Sequence, residues 1–409
     1  MEEGTPFMLR PSDSLLSVLS LLLYLLDVAL DAWAVVSLAQ EEEYVLMALL
    51  IVLLLGSSVL LQVFSWTWYS ESAGDLTTSV EKFTQRRGLM TPLHVLQLGV
   101  FLRFAGLLES SIFSFRQENT FHEGVAVHLS HDLSMLRMFE AFAESAPQLA
   151  LMMVIVIRSR KLQLFTVVKL LGLLGALTFT MLSYHRNMRA FVPDKLKMGW
   201  FSSVVYFLWN LLLIGPRVLC VALFASVLPC YVPAHFLSLW TLLLVWAWWQ
   251  NTDFMETRAG EWLYRATVAL IWYFSWFNVS DGSTKLSGIV YHTFTGFDTA
   301  LLLGLWFWKR SVESARLGPP LIEPYVLIPA IALVYAAGLV LKLVYYWKCH
   351  PNQPPLELVK EPRLEMHACV RVPANLETDS NETETTTPAG EPETTGRRRM
   401  RHMAAHFYC

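Results

Sequence analysis

Roughly ten stretches of this chain stay apolar for about the ~20 residues a helix needs to cross hydrocarbon, and that property limits the possible folds more than any motif does. The first five are Leu15–Leu38, Val45–Trp68, Thr91–Phe113, Leu133–Ile157 and Leu164–Tyr184. The others are Val204–Val227, Phe236–Gln250, Trp262–Val279, Ile289–Trp308 and Ile322–Trp347. Leu, Ala and Met fill them at lengths that exclude the short alternating strands of a barrel. Charged residues make up 16% of the chain, against about 25% in soluble domains, so the solvent is a bilayer. The expected fold is an all-α polytopic membrane protein.

Several function classes fall away at once. A net charge of −3 offers no cationic surplus for nucleic acid. Five scattered cysteines show neither a disulfide framework nor zinc spacing. No glycine-rich phosphate loop suggests an ATP-driven pump, and no Ser/His/Asp or Cys/His set is placed for hydrolysis, so neither an enzyme nor a cofactor is expected. The first apolar stretch carries Asp27 and Asp31 and follows Glu2 and Glu3, which is unlike a cleaved leader.

Cations set the expected topology. Glu41, Glu42 and Glu43 suit the outside, and Lys82, Arg86 and Arg87 suit the cytosol. Arg158, Arg160 and Lys161 before the fifth stretch, and Arg186, Arg189, Lys195 and Lys197 after it, all want the cytosol. One stretch there must therefore enter and return. The fourth is the better candidate, because Pro147 and its polar neighbours interrupt it. A second non-spanning piece in the C-terminal half returns the tail to the cytosol. About eight spans plus two re-entrant helices result, with both termini cytosolic. The membrane domain covers residues 1–349. Residues 350–409 turn rich in Pro, Glu and Thr and read as a disordered cytosolic tail ending in a short basic and aromatic piece.

The informative residues are charges where lipid should be. At 100° per residue, Asp13 and Asp31 point the same way and Asp27 lies about 40° off that line. Arg137, Glu140, Glu144 and Gln148 form one polar stripe on another helix. Single charges recur at Arg103, Lys169, Arg186, Arg217, Asp298 and Lys342. Each costs at least ~2.5–3.5 kcal/mol at a helix centre, so they face one another or a hydrated groove. Two readings remain open. In one, the acids pair with Arg217, Arg186 or Arg103 and hold the bundle together. In the other they form a ladder along which a hydrophilic group crosses. No histidine accompanies the acids at ligand spacing, so no metal is expected.

Six segments taken together resemble the XK-related family over roughly residues 10–350. They are Gln62-Val-Phe-Ser-Trp66, the Met135–Leu149 stretch with its Glu140-x-x-x-Glu144-x-Ala-Pro-Gln148 pattern, and Tyr184-His-Arg186. The remaining three are Tyr206–Asn210 through Pro216-Arg217, Gly260-Glu-Trp-Leu-Tyr264, and Tyr273–Asn278. The likeness is strongest to the caspase-activated branch. It implies a plasma-membrane phospholipid scramblase that exposes phosphatidylserine in apoptosis, with a single-span partner of the basigin or neuroplastin type. The implied charged track falls on Asp13, Asp27, Asp31, Glu140, Glu144, Arg186, Arg217 and Asp298. Ser183 stands where family members carry an acid before Tyr-His-Arg, so Arg186 has a different partner to find. The family's switch implies cleavage by an executioner caspase in the tail, where Leu376-Glu-Thr-Asp379 precedes Ser380. The released end would carry Arg397, Arg398, Arg399, Phe407 and Tyr408 as autoinhibitory contacts. The reading of a different class is a transporter or channel for a small polar solute that uses the same acids.

Overall fold

The structure is a computed structural model, and it describes residues 11–72, 76–117, 120–160, 164–191, 198–279, 284–314, 319 and 322–349. Asp379, Ser380, Arg397, Arg398, Arg399, Phe407 and Tyr408 lie outside the described residues, as does the side chain of Asp13. Every regular element among the described residues is helical. The chain is an all-α polytopic membrane protein.

Two long helices open it, α1 (Pro11–Gln40) and α2 (Tyr44–Glu71). Three shorter ones follow: α3 (Ser79–Arg86), α4 (Met90–Val95) and α5 (Gly99–Gln117). A capping box starts α3. Thr78 Oγ1 accepts from the Glu81 amide at 3.2 Å, and Glu81 Oε2 accepts from the Thr78 amide at 3.3 Å. Then comes a continuous rod: α6 (Thr120–Glu140), a π-helical turn (Ala141–Ser145) and α7 (Ala146–Ser159). The second half holds α8 (Leu164–Phe191), α9 (Trp200–Val227), α10 (Val232–Trp249), α11 (Arg258–Phe274), α12 (Thr284–Val312) and α13 (Pro324–Val344).

Among the described residues, seven helices are long and apolar enough to cross a bilayer: α1, α2, the rod from Gly124 to Ser159, α8, α9, α10 and α13. Burial sorts them into a centre and a rim. Within the most apolar window, 61% of the rod and 67% of α9 are buried, against 17% of α1, α2 and α10 and 11% of α13. The rim turns Leu22, Leu26, Trp33, Val52, Leu55 and Leu333 outward, as helices in lipid do. The centre is aromatic, with Phe64, Trp68, Phe139 and Phe142 on α2 and the rod meeting Tyr264 and Phe274 of α11. On the other side α13 lies so close to α9 that a Cβ on Gly338 would meet the Leu212 carbonyl carbon at 3.1 Å. Only glycine admits that approach.

Two expectations about the spans need correction. The fourth stretch does not turn back. The π turn absorbs the interruption, and Pro147 sits in the first turn after it, where a missing N–H costs little, so the helix runs on. The third stretch is not one span. The left-handed Gln97 (φ 65°) breaks it between α4 and α5. A non-spanning piece was expected in the C-terminal half, and the helix in the eighth stretch, α11, is short: it stops at Phe274, where Ser275 is extended (φ −149°), and its 17 residues reach ~25 Å against a ~30 Å hydrocarbon core. With 29 residues, α12 has the length to cross, but Tyr291, His292, the threonines and Asp298 lower its hydropathy.

Candidate functional site

The charges gather in separate clusters, and the largest lies between α1, the rod and α8. Tyr24, Asp27 and Asp31 share one face of α1. Across from them Arg137 NH2 stands 3.5 Å from Asp27 Oδ2 and its other arm engages Glu140, while the guanidinium covers the Tyr24 ring at 4.5 Å. One turn on, Gln148 Nε2 donates to Asp31 Oδ1 at 2.6 Å. Lys169 of α8 reaches the Leu30 carbonyl oxygen at 3.2 Å, beside the same acids.

The π turn is what brings the rod's acids to α1. Its wider ring holds Glu144, and one carboxylate oxygen from each of Asp27, Asp31 and Glu144 lies within 4.8 Å of the others. All are buried or nearly so. That spacing suits a hard cation with oxygen ligands, which a search for histidine at ligand spacing overlooked. It suits a shared proton or an ammonium group equally well. Asp27, Asp31, Glu140 and Glu144 face Arg137 and Lys169, so carboxyl groups outnumber cations in the cluster. Such an excess in a buried site draws in positive charge.

A second cluster joins α9, α10, α11 and α12, and it is closed. Arg217, 1% exposed, lies 2.6 Å from Asp298 Oδ2. Its Nε donates to the Tyr273 carbonyl at 3.1 Å and its NH1 to Thr299 Oγ1 at 3.1 Å. The other Asp298 oxygen meets His235 Nε2 at 3.0 Å, and His235 Nδ1 meets the Tyr273 hydroxyl at 3.1 Å. One cation matches one carboxylate. A third cluster also sets one cation against one carboxylate. Arg103 binds Asp132 at 3.1 Å and Ser65 through Oγ at 2.9 Å and the carbonyl at 3.0 Å, under the Tyr69 ring at 4.1 Å.

Asp27, Asp31, Glu140 and Glu144 therefore come together, Arg217 and Asp298 pair apart from them, and Arg186 sits elsewhere, bonded to Ser203 Oγ at 2.8 Å. The structural pairing expected from sequence named the wrong cations: Arg137 serves the α1 acids, whereas Arg217 and Arg103 hold Asp298 and Asp132. Sequence reasoning missed His235 and Tyr273 as well. A single histidine and a single tyrosine on two helices carry no spacing signal, so nothing in the sequence could have joined them.

A family profile described as XK-related protein matches residues 15–351, which spans all the clusters above. The chain belongs to the XK-related family. Among its XK-related relatives, XK-related protein 8 of Tetraodon nigroviridis is 40% identical over 372 residues, covering 89% of each chain. XK-related protein 8 of Pan troglodytes is also 40% identical, over 83% of this chain and 84% of the relative. XK-related protein 9 of Tetraodon nigroviridis is 30% identical over 83% of this chain.

Proposed function

We propose that this XK-related chain is a phospholipid scramblase that works without ATP or covalent chemistry. It would expose phosphatidylserine at the plasma membrane of dying cells. The observation that carries this reading is the acid-rich cluster of Asp27, Asp31, Glu140, Glu144 and Arg137, buried between membrane-spanning helices with more carboxyl groups than cations. Lipid headgroups bear an ammonium and a phosphate. The surplus carboxylates suit the first and the Arg137 guanidinium the second. Only the head needs this solvation, because the acyl chains stay in hydrocarbon while it crosses.

The switch belongs to the same proposal. The tail end with Arg397, Arg398, Arg399, Phe407 and Tyr408 would bind the closed form, and an executioner caspase cutting after Asp379 would release it. A preference of ~3–4 kcal/mol for the closed form keeps the open state below about 1%. A single-span glycoprotein of the basigin or neuroplastin type would accompany the chain to the surface.

The test is reconstitution of purified protein, intact and caspase-treated, in liposomes with fluorescent lipid and external dithionite. Caspase treatment should let dithionite bleach inner-leaflet label, while intact protein leaves it protected. Passage of a small polar solute with inner-leaflet lipid still protected would make the chain a transporter instead.

A further inference from the structure

Both α12 and α13 pack on α9, and at one end they also meet each other. There Leu303 and Trp306 of α12 share a core with Ile331 of α13, and the Phe307 and Tyr325 rings stand 6.0 Å apart. Toward the other end a polar bridge joins them. Lys342 Nζ of α13 donates to His292 Nε2 of α12 at 2.7 Å and lies 4.9 Å from the centre of the Trp209 ring on α9. Space remains beside this bridge. A Cβ on Gly296, one turn from His292, would meet nothing within 4 Å. The exposed Ile289 of α12 and Leu343 of α13 add apolar surface at the opening.

The charge on Lys342 is what this groove leaves unanswered. Six residues, ~9 Å, separate it from the end of the Pro324–Lys348 span, so its amine belongs near one border of the hydrocarbon. A lysine at that depth ordinarily snorkels to the headgroups. This one turns inward, onto an imidazole and an indole face. Arg103, Arg137 and Arg217 each face a carboxylate. Among the described residues no carboxylate bears on Lys342 or His292. The indole adds to the demand, because Trp209 is 4% exposed and its Nε1 has no hydrogen-bond acceptor. An anion answers both the buried cation and the buried donor.

We propose that the groove between α12 and α13 binds a membrane-dissolved fatty acid, its carboxylate on the Lys342 ammonium and the Trp209 N–H and its chain lying outward between the helices. One negative charge matches one cation. A long-chain carboxylate also floats at the depth of Lys342, and it brings no ammonium of its own for the lysine to repel, as a zwitterionic headgroup does. The site shares no residue with the acidic cluster and does not depend on the scrambling reading.

The experiment is photolabelling of the full-length protein in phosphatidylcholine liposomes with a palmitate that carries a diazirine on its chain, followed by peptide mapping. Label should fall on the peptides around Gly296 and Leu343. Excess palmitate should lower it at least about tenfold, and hexadecanol, the same chain without the charge, should leave it in place. Lys342→Met should lose label to the same extent. Equal competition by hexadecanol, competition by phosphatidylserine at the same mole fraction, or full labelling of Lys342→Met overturns the site. Label elsewhere on the chain, or none, overturns it too. Should Lys342→Met fail to fold, Trp209→Phe carries the test, since it keeps an aromatic face and removes the N–H. A severalfold loss of label supports the site, and unchanged labelling overturns it. No lipid movement is read, so a chain that fails to scramble can still hold the site, and a scramblase can still lack it.

Discussion

The two largest charged clusters use the same kinds of residue to opposite ends. Around Arg217 cation and carboxylate match one to one: Asp298, the Tyr273 carbonyl and Thr299 take the guanidinium, and His235 takes the second Asp298 oxygen. A closed pair of this kind adds no charge to the interior and ties four helices together. Around Arg137 the acids outnumber the cations, and three of them crowd within 4.8 Å on α1 and the π turn. That arrangement costs stability and leaves a demand for positive charge. The closed pair has no place for a further cation, whereas this surplus of carboxyl groups has one, for a proton or an ammonium alike.

The comparison breaks most visibly by removing single partners. Arg217→Met leaves Asp298 buried without its cation and should cost ~3–5 kcal/mol, enough to abolish expression of folded protein. The double variant Arg217→Met with Asp298→Leu should restore much of it, read as the monodisperse yield on size exclusion. If the double variant restores folding and scrambling is then lost, the closed cluster takes part in transport and the contrast fails.

Asp27→Asn with Asp31→Asn should do the reverse, slowing scrambling at least about tenfold at near-normal yield. Parallel loss of yield and rate would assign these acids to structure. Glu140→Gln and Glu144→Gln keep hydrogen bonding and volume, so each alone should slow transport severalfold. Full rates in both would remove the electrostatic role of the rod.

The smallest effect lies outside the spans. His94 in α4 donates from Nδ1 to the Met90 carbonyl at 2.7 Å and meets Ser65 Oγ through Nε2 at 3.0 Å, and burial holds its imidazole below the ordinary value of 6.5. A lowered value in the folded state means full stability above pH 6.5, lost as the pH falls and the unfolded chain takes up the proton first. The slope is at most ~1.4 kcal/mol per pH unit. Melting temperature should fall on mild acidification, and His94→Gln should flatten that response.

Periodicity and length made the helical class, α1, α2, α9 and the α1 acids legible, because a 20-residue apolar run in lipid has few alternatives. The fate of Leu133–Ile157 was not. A polar stripe beside a proline reads equally as a break or as a π turn, and only packing against α1 and α8 selects the second. Pairing was illegible for the same reason. Arg137 and Arg217 are both lone intramembrane cations in sequence, and which acid each meets depends on how helices far apart in the chain come together.

The central claim is that the unbalanced cluster carries headgroups and the closed one does not. The most direct measurement is the dithionite assay on liposomes holding caspase-trimmed protein, wild type beside Asp27→Asn with Asp31→Asn, at matched amounts of folded protein. The wild type should expose its inner-leaflet label rapidly, and the variant should leave most of it protected over the same interval. Equal bleaching by the two would contradict the account.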